Sequence, residues 1–304
     1  MTPKRFWIAA CALIAVLGVV QVSSMLGETQ TWDEGIHLTA GYSYLTTGDY
    51  SMNSEHPVLA KILCTLPLLV LHPVLDPAWL KMTQQESGLW FLYRNRVSPD
   101  VMLAAGRSVT VLMTLLFAAW IAVWTRRHFG PIAALIALGL FCFDPNIIAH
   151  GRYVTTDLAA AFFVFLASTL WIDYLVAPTM VRLVFAGLAL GAAVSSKYSA
   201  LFLIPLVVVA GLWRRRWAGT AAVLAIAFAF VVMVYAPELV HYKQLGLLRP
   251  KLRLETAVSR VLFFFAKRLG LPASNYFLGL ERLADHNAMG HPSYLMGQIS
   301  NAGW

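Results

Sequence analysis

Apolar residues dominate the runs 6–26, 101–124, 131–148, 158–176, 183–194, 198–213 and 218–236. Long apolar runs with at most one charge read as transmembrane helices, so the pattern predicts seven of them. The first, preceded by Lys4 and Arg5, has the length of an uncleaved anchor, and no small-x-small cleavage site follows it. An eighth apolar run, 57–75, carries Pro57, Pro67 and Pro73 together with Lys61 and His72. Parity decides its reading. If it does not span, the loops bearing Lys4, Arg5, Arg126, Arg127, Arg182, Arg214, Arg215 and Arg216 share one face, which the positive-inside rule makes cytoplasmic. The run is therefore expected to lie as a juxtamembrane or re-entrant segment at the outer interface, where its prolines are tolerable.

That topology puts all but one of the 15 acidic residues on the outer side or outer edge, the exception being Asp173. Two long outer segments follow, 27–100 and 237–304. The expected organisation is a membrane domain over 1–236, with a functional outer loop at 27–100, and an extracytoplasmic segment over 237–304. Within the latter, 251–270 places apolar residues at helical spacing among Lys251, Arg253, Arg260, Lys267 and Arg268, a basic amphipathic helix suited to membrane lipids with anionic head groups.

Composition agrees with a polytopic, all-α membrane protein: 59% of the 304 residues are hydrophobic and 12% are charged, about half the charge of a soluble domain. The formal charge of +8 would raise the question of nucleic acid in a soluble chain; here its sorting by membrane side accounts for it, and no nucleic-acid partner is expected. Cys11, Cys64 and Cys142 lie in apolar runs without ligand spacing, so neither a zinc site nor a disulfide framework is indicated.

The outer segments carry the candidate chemistry. In WDEGIHLTAGYSYLTTGDYSMNSEHPVLAK, a helix from Asp33 would set Asp33 and His37 one turn apart, with Gly41 leaving room for something to approach, and Asp33 and Glu34 would stand at the exit of the first membrane helix. Glu55 and His56 form a second cluster before Pro57. Together the clusters offer carboxylates and imidazoles for a base or a metal. In FDPNIIAHGRYVTTDLAAAF, Asp157 reads as a helix N-cap or as a site carboxylate, and Arg152, on the outer side, suits a phosphate. Arg107, two turns inside a membrane helix, is functional, paired, or snorkelling outward. Lys197, in SSKYSALF, is a turn lysine or another phosphate contact. His241, His286 and His291 have no ligand spacing and read as surface residues. A carboxylate base with a cationic phosphate cradle is what transfer of a group from a lipid phosphate requires.

The first-loop stretch, together with FDPNIIAHGRYVTTDLAAAFFVFLA, SSKYSALF and the terminal ISNAGW, resembles the GT-C superfamily of polyprenyl-phosphate-sugar-dependent glycosyltransferases. The branch it is most similar to comprises the dolichyl-phosphate-mannose protein mannosyltransferases and the bacterial lipid A aminoarabinose transferases. The resemblance implies a GT-C helix bundle in the inner membrane. It would transfer a sugar from a polyprenyl-phosphate donor to a lipid, glycan or protein acceptor on the extracytoplasmic side, with inversion at the anomeric carbon. It further implies Asp33 as base, Glu34 as its neighbour and Asp157 as a second site carboxylate. His56, Arg152, Lys197 and Arg107 would stand near the donor phosphate, supported by His37 and Glu55. His56 stands where the family often has lysine, which makes the charge of that contact depend on pH. Metal dependence differs between branches, so no cofactor is assigned and a divalent metal stays open. The resemblance also leads one to expect further membrane helices beyond Trp304.

Overall fold

The computed structural model describes residues 1–245, 275–277, 279–280, 282–283 and 293–300. The expected amphipathic helix 251–270, His286, His291 and residues 301–304 lie outside them, as does the side chain of His241.

Thr2 starts the first helix, its hydroxyl accepting from the Arg5 amide, and Pro3 occupies the first turn, where its missing N–H costs nothing. Helix α1 (Pro3–Met25) is followed by α2 (Glu34–Thr47), α3 (Leu59–Thr65), α4 (Leu68–Leu71), a 3-10 turn at Trp79–Lys81 and α5 (Gln84–Tyr93). A capping box of Thr83 and Glu86 begins α5. Then come α6 (Pro99–Cys142), α7 (Pro145–His150), α8 (Thr156–Val176), α9 (Met180–Ser196), a 3-10 turn at Tyr198–Phe202, α10 (Leu203–Trp213) and α11 (Trp217–Leu245). A short antiparallel hairpin pairs β1 (Ser293–Leu295) with β2 (Gln298–Ser300).

Among the described residues four helices are long and apolar enough to cross a membrane: Pro3–Met25, Pro99–Cys142, Thr156–Val176 and Trp217–Glu238, while α9 and α10 are apolar but shorter. The segment expected to span at 131–148 crosses the bundle in two pieces. Gly130, at φ 87°, turns the chain back ahead of Pro131, so that Ala134 and Leu138 pack against Ala118, Ala122 and α1. The first piece, 131–142, is about 18 Å long. The Asp144 carboxylate then accepts from the Asn146 and Ile147 amides and starts α7, which brings the Ile147 and Gly151 carbonyls to Gln21 and Thr114. The proline-bearing run 57–75 forms only α3 and α4, of seven and four residues.

Helices α8, α9 and α11 pack as one layer around Trp171, Leu190 and Val223, and α1 lies on α6 through Phe6, Leu17 and Leu138. Phe117 and Phe162 join the two groups. Side chains such as Val19, Leu140 and Val209 point away from the bundle, as lipid contact requires. Across one end lies a cap of α2, α3 and α5, cored by Leu38, Phe91 and Leu92 and set on α6 and α8. Gly41 marks the join of α2 to α3. A Cβ there would sit 2.4 Å from the Lys61 carbonyl oxygen, so the space it leaves is filled by the α3 backbone and not by a ligand. At the opposite end Asp173 accepts from Trp124 and pairs with Arg127 and His128, while Arg126 lies over the Phe6 and Trp7 rings.

Candidate active site

The chain leaving α1 turns through 26–33 and enters α2 at two adjacent carboxylates with opposite surroundings. Glu34 is fully buried, and both of its oxygens are saturated. Oε1 accepts from Arg107 Nε at 2.8 Å and the Val154 amide at 3.0 Å; Oε2 accepts from Arg107 at 2.7 Å and the Thr31 amide at 2.8 Å. Arg107, 1% exposed, gives its remaining donors to the carbonyls of Met25, Glu28 and Thr29 at 2.7–2.9 Å. All five guanidinium N–H groups are thus spent inside the protein. Arg107 therefore has no donor left for the phosphate contact expected of it, and instead ties α6 to the end of α1 and to the entry of α2.

His37, one turn further on, is 3% exposed, and its Nδ1 lies 3.0 Å from the Val154 carbonyl. Burial, with help from nearby Lys61, lowers its pKa to about 3, so the ring is neutral and donates its Nδ1 proton to that carbonyl. Glu34 and His37 therefore grip both the N–H and the C=O of Val154, and so lock the loop between α7 and α8 against α2 immediately ahead of Asp157. Asp33 and His37 do not share the open face expected for them, since His37 points inward.

Asp33, in contrast, is exposed. Burial of its protein-facing side, then the carboxylates of Asp157, Glu34 and Glu55, raise its pKa above the ordinary aspartate value. Asp157 sits in the first turn of α8, where the cap position belongs to Thr155, and it pairs with Lys197 at the start of the α9–α10 turn; both side chains are open to solvent. Glu55 and His56 belong to the 53–58 turn. The His56 ring meets that of His37 edge-on at 5.8 Å. The structure thus gathers Asp33, Glu55, Asp157, Lys197, His37 and His56 at one mouth of the bundle.

Arg152 stands beside this group in a clasp of its own. It donates to both oxygens of Glu28, to the Ile148 carbonyl and to the Tyr153 hydroxyl, using four of its five donors. The Tyr153 hydroxyl donates to Glu28 at 2.5 Å; that bond, with the Arg152 guanidinium, holds the Glu28 carboxyl below its usual range. The Tyr153 ring lies between the guanidiniums of Arg107 and Arg152, 5.5 and 4.8 Å from its centroid.

Two features of the site lie outside what the sequence pattern predicts. Lys61 is 1% exposed and donates to Tyr44 Oη, to the Asn53 carbonyl and side-chain oxygens and to the His56 carbonyl at 2.6–3.1 Å. Burial drives its pKa well down, opposed by Glu55. Lys61 is the post on which the turn bearing Glu55 and His56 is hung, and a lysine inside a proline-broken apolar run is its only sequence signal. The second is a set of buried side-chain oxygens in the segments leading to Asp33 and Asp157, Gln30 Oε1, Thr31 Oγ1 and Thr155 Oγ1, which have no hydrogen-bond partner among the described residues. Among the described residues no three His, Cys, Asp or Glu side chains converge as a metal-ligand set.

A family model for dolichyl-phosphate-mannose-protein mannosyltransferases matches residues 32–243. The chain is also similar to a chain of the S. cerevisiae protein O-mannosyltransferase Pmt1-Pmt2 complex bound to the sugar donor, with a TM-score of 0.54 and 20% identity, covering 80% of this chain and 34% of that one. At that identity the likeness concerns the fold, an all-α membrane bundle of GT-C type. This chain spans about a third of the length of that solved chain. No curated protein matches.

Proposed function

The chain belongs to the dolichyl-phosphate-mannose-protein mannosyltransferase family of GT-C glycosyltransferases, and from that premise we propose that it transfers a sugar, mannose in the first instance, from a polyprenyl-phosphate donor to an acceptor hydroxyl. The observation that carries the reading is the contrast at the start of α2. Asp33 is an exposed carboxylate of raised basicity, while its neighbour Glu34 is locked to Arg107.

In the proposed step the acceptor oxygen attacks the anomeric carbon as the bond from that carbon to the phosphate oxygen breaks. The electron pair leaves with the phosphate, the acceptor proton passes to Asp33, and the configuration at the anomeric carbon inverts. A phosphate leaves without a protonating acid when positive charge meets it. Lys197 supplies that charge by exchanging its partner Asp157 for the donor phosphate, with the free N–H of Arg152 and the His56 ring at the margin. Glu55 keeps Asp33 basic. Glu34, Arg107 and His37 are positioning residues. Because the opposite end of the bundle carries Arg126, Arg127, Arg182 and the 214–216 arginines, the reading places the reaction on the extracytoplasmic side of a cytoplasmic membrane. The acceptor is a lipid, a glycan or a protein.

The test is release of free polyprenyl phosphate by the purified chain from a panel of polyprenyl-phosphate sugars, beside Asp33→Asn. Release that falls about 100- to 10,000-fold in the variant is expected of a lost general base. Undiminished release from Asp33→Asn would remove Asp33 from the mechanism, and no release from folded wild-type protein with any donor would remove the activity.

A further inference from the structure

At the end of the bundle remote from Asp33, α8 runs out beside the turn that joins α10 to α11. Leu175, Val176, Trp213, Arg214, Arg215 and Arg216 line a groove of about 370 Å³ there. We propose that this groove binds the phosphate of an anionic membrane lipid, with the lipid chains lying along the exposed apolar side chains of α8 and α10.

A positive-inside signal alone needs charge on one side of the membrane and asks nothing of where the guanidiniums go. Three other arginines at this end are engaged. Arg127 pairs with Asp173 at 3.3 Å, Arg126 lies over Phe6 at 4.6 Å, and Arg182 donates to the Asp173 and Ala177 carbonyls. Among the described residues Arg214, Arg215 and Arg216 have no such partner. They are nevertheless held in place. The amides of Arg214, Arg215 and Arg216 donate to the carbonyls of Ala210, Leu212 and Gly211, and Arg215 takes the left-handed φ of 54° that closes the turn. The result is three unpaired cations on a set backbone, with an apolar wall on one side. Trp213 and Trp217 flank the turn at 84% and 66% exposure, the amphipathic rings that settle at head-group depth. A guanidinium cluster at that depth matches a phosphodiester bearing two acyl chains better than a soluble anion, because the groove opens sideways onto residues that face lipid.

The experiment is native mass spectrometry of the detergent-solubilised full chain titrated with phosphatidylglycerol, with phosphatidylcholine, and with phosphatidylglycerol in the presence of millimolar inorganic phosphate. Two variants accompany it. Val176→Glu puts a carboxylate into the groove without removing an arginine, and Arg215→Asn removes one guanidinium while suiting the left-handed turn. The expected result is preferential retention of phosphatidylglycerol that inorganic phosphate does not displace and that weakens about fivefold in each variant. Equal retention of both lipids, or retention unchanged in both variants, would overturn the site. Displacement by inorganic phosphate would overturn its assignment to lipid. None of these readouts depends on sugar transfer, so the result stands apart from that of the donor-release assay.

Discussion

Two carboxylate and cation pairs stand close together at the Asp33 end of the bundle and are built on opposite plans. Glu34 and Arg107 are buried to within 1% exposure, and every donor and acceptor they own is used. Asp157 and Lys197 share one contact at 59% and 32% exposure. The first pair has nothing left to offer a ligand. The second can trade partners at little expense, since an exposed ion pair contributes at most about 1 kcal/mol. Charge in the right place is therefore not enough to identify a binding group; what matters is how many of its hydrogen-bonding positions remain uncommitted.

Breaking the buried pair should have the largest effect. Arg107→Met strands the Glu34 carboxylate and three carbonyls, and should cost about 3–5 kcal/mol, read as a collapse of the thermal unfolding temperature of the solubilised protein. Adding Glu34→Leu should restore part of that loss; a double variant as unstable as the sum of the single ones would mean that the pair is not coupled. Lys61→Met comes next. It leaves four oxygens without their donor and should lose about 1–3 kcal/mol, with a rise in donor KM as the turn of Glu55 and His56 loosens. Lys197→Gln should change stability by less than about 1 kcal/mol and yet weaken donor binding roughly tenfold, a split that thermal unfolding and donor titration resolve. Equal losses in the two measurements would place Lys197 with the structural pair.

The smallest effects on stability concern Asp33 and pH. Its pKa is raised in the folded chain, so its ionised form is less favoured there than in the unfolded chain, and ionisation costs stability at pH above the folded pKa. Asp33→Asn should therefore unfold at a temperature no lower than wild type at neutral pH, even as turnover falls. The acid limb of the rate profile should lie above that of an ordinary aspartate, and Glu55→Gln, which removes a repelling charge, should move the limb to lower pH. An unmoved limb would mean that Glu55 does not face Asp33.

Much of the helical architecture is legible in the sequence because lipid imposes it: a run such as 158–176 has few alternatives once it is apolar over nearly its whole length. That 131–148 crosses in two pieces is not legible, because its breaks depend on the φ of Gly130 and the capping carboxylate of Asp144, two local choices that hydropathy averages away. At the site, the cluster of acidic residues at 33, 34 and 55 and the oddity of a cation at 107 can be read directly. Their division of labour cannot. Asp33 and Glu34 are adjacent and chemically near-identical, and which of them meets Arg107, 73 residues away, is settled only when α6 packs beside α2. Lys61 is inconspicuous in the sequence because its partners are mostly carbonyl oxygens, which leave no trace there.

The five-donor hub at Arg107 also bears on how the protein is made. The carbonyl of Met25 waits for a guanidinium 82 residues downstream, and the Glu34 carboxylate for an amide 120 residues downstream. At about 5–20 residues per second, the end of α1 and the start of α2 exist for several seconds at least before either partner is synthesised. A nascent chain halted ahead of α6 thus carries the sequence of the segment between α1 and α6 without its shape. The Asp33 end of the molecule is completed during translation by the arrival of α6 and of the loop that precedes α8.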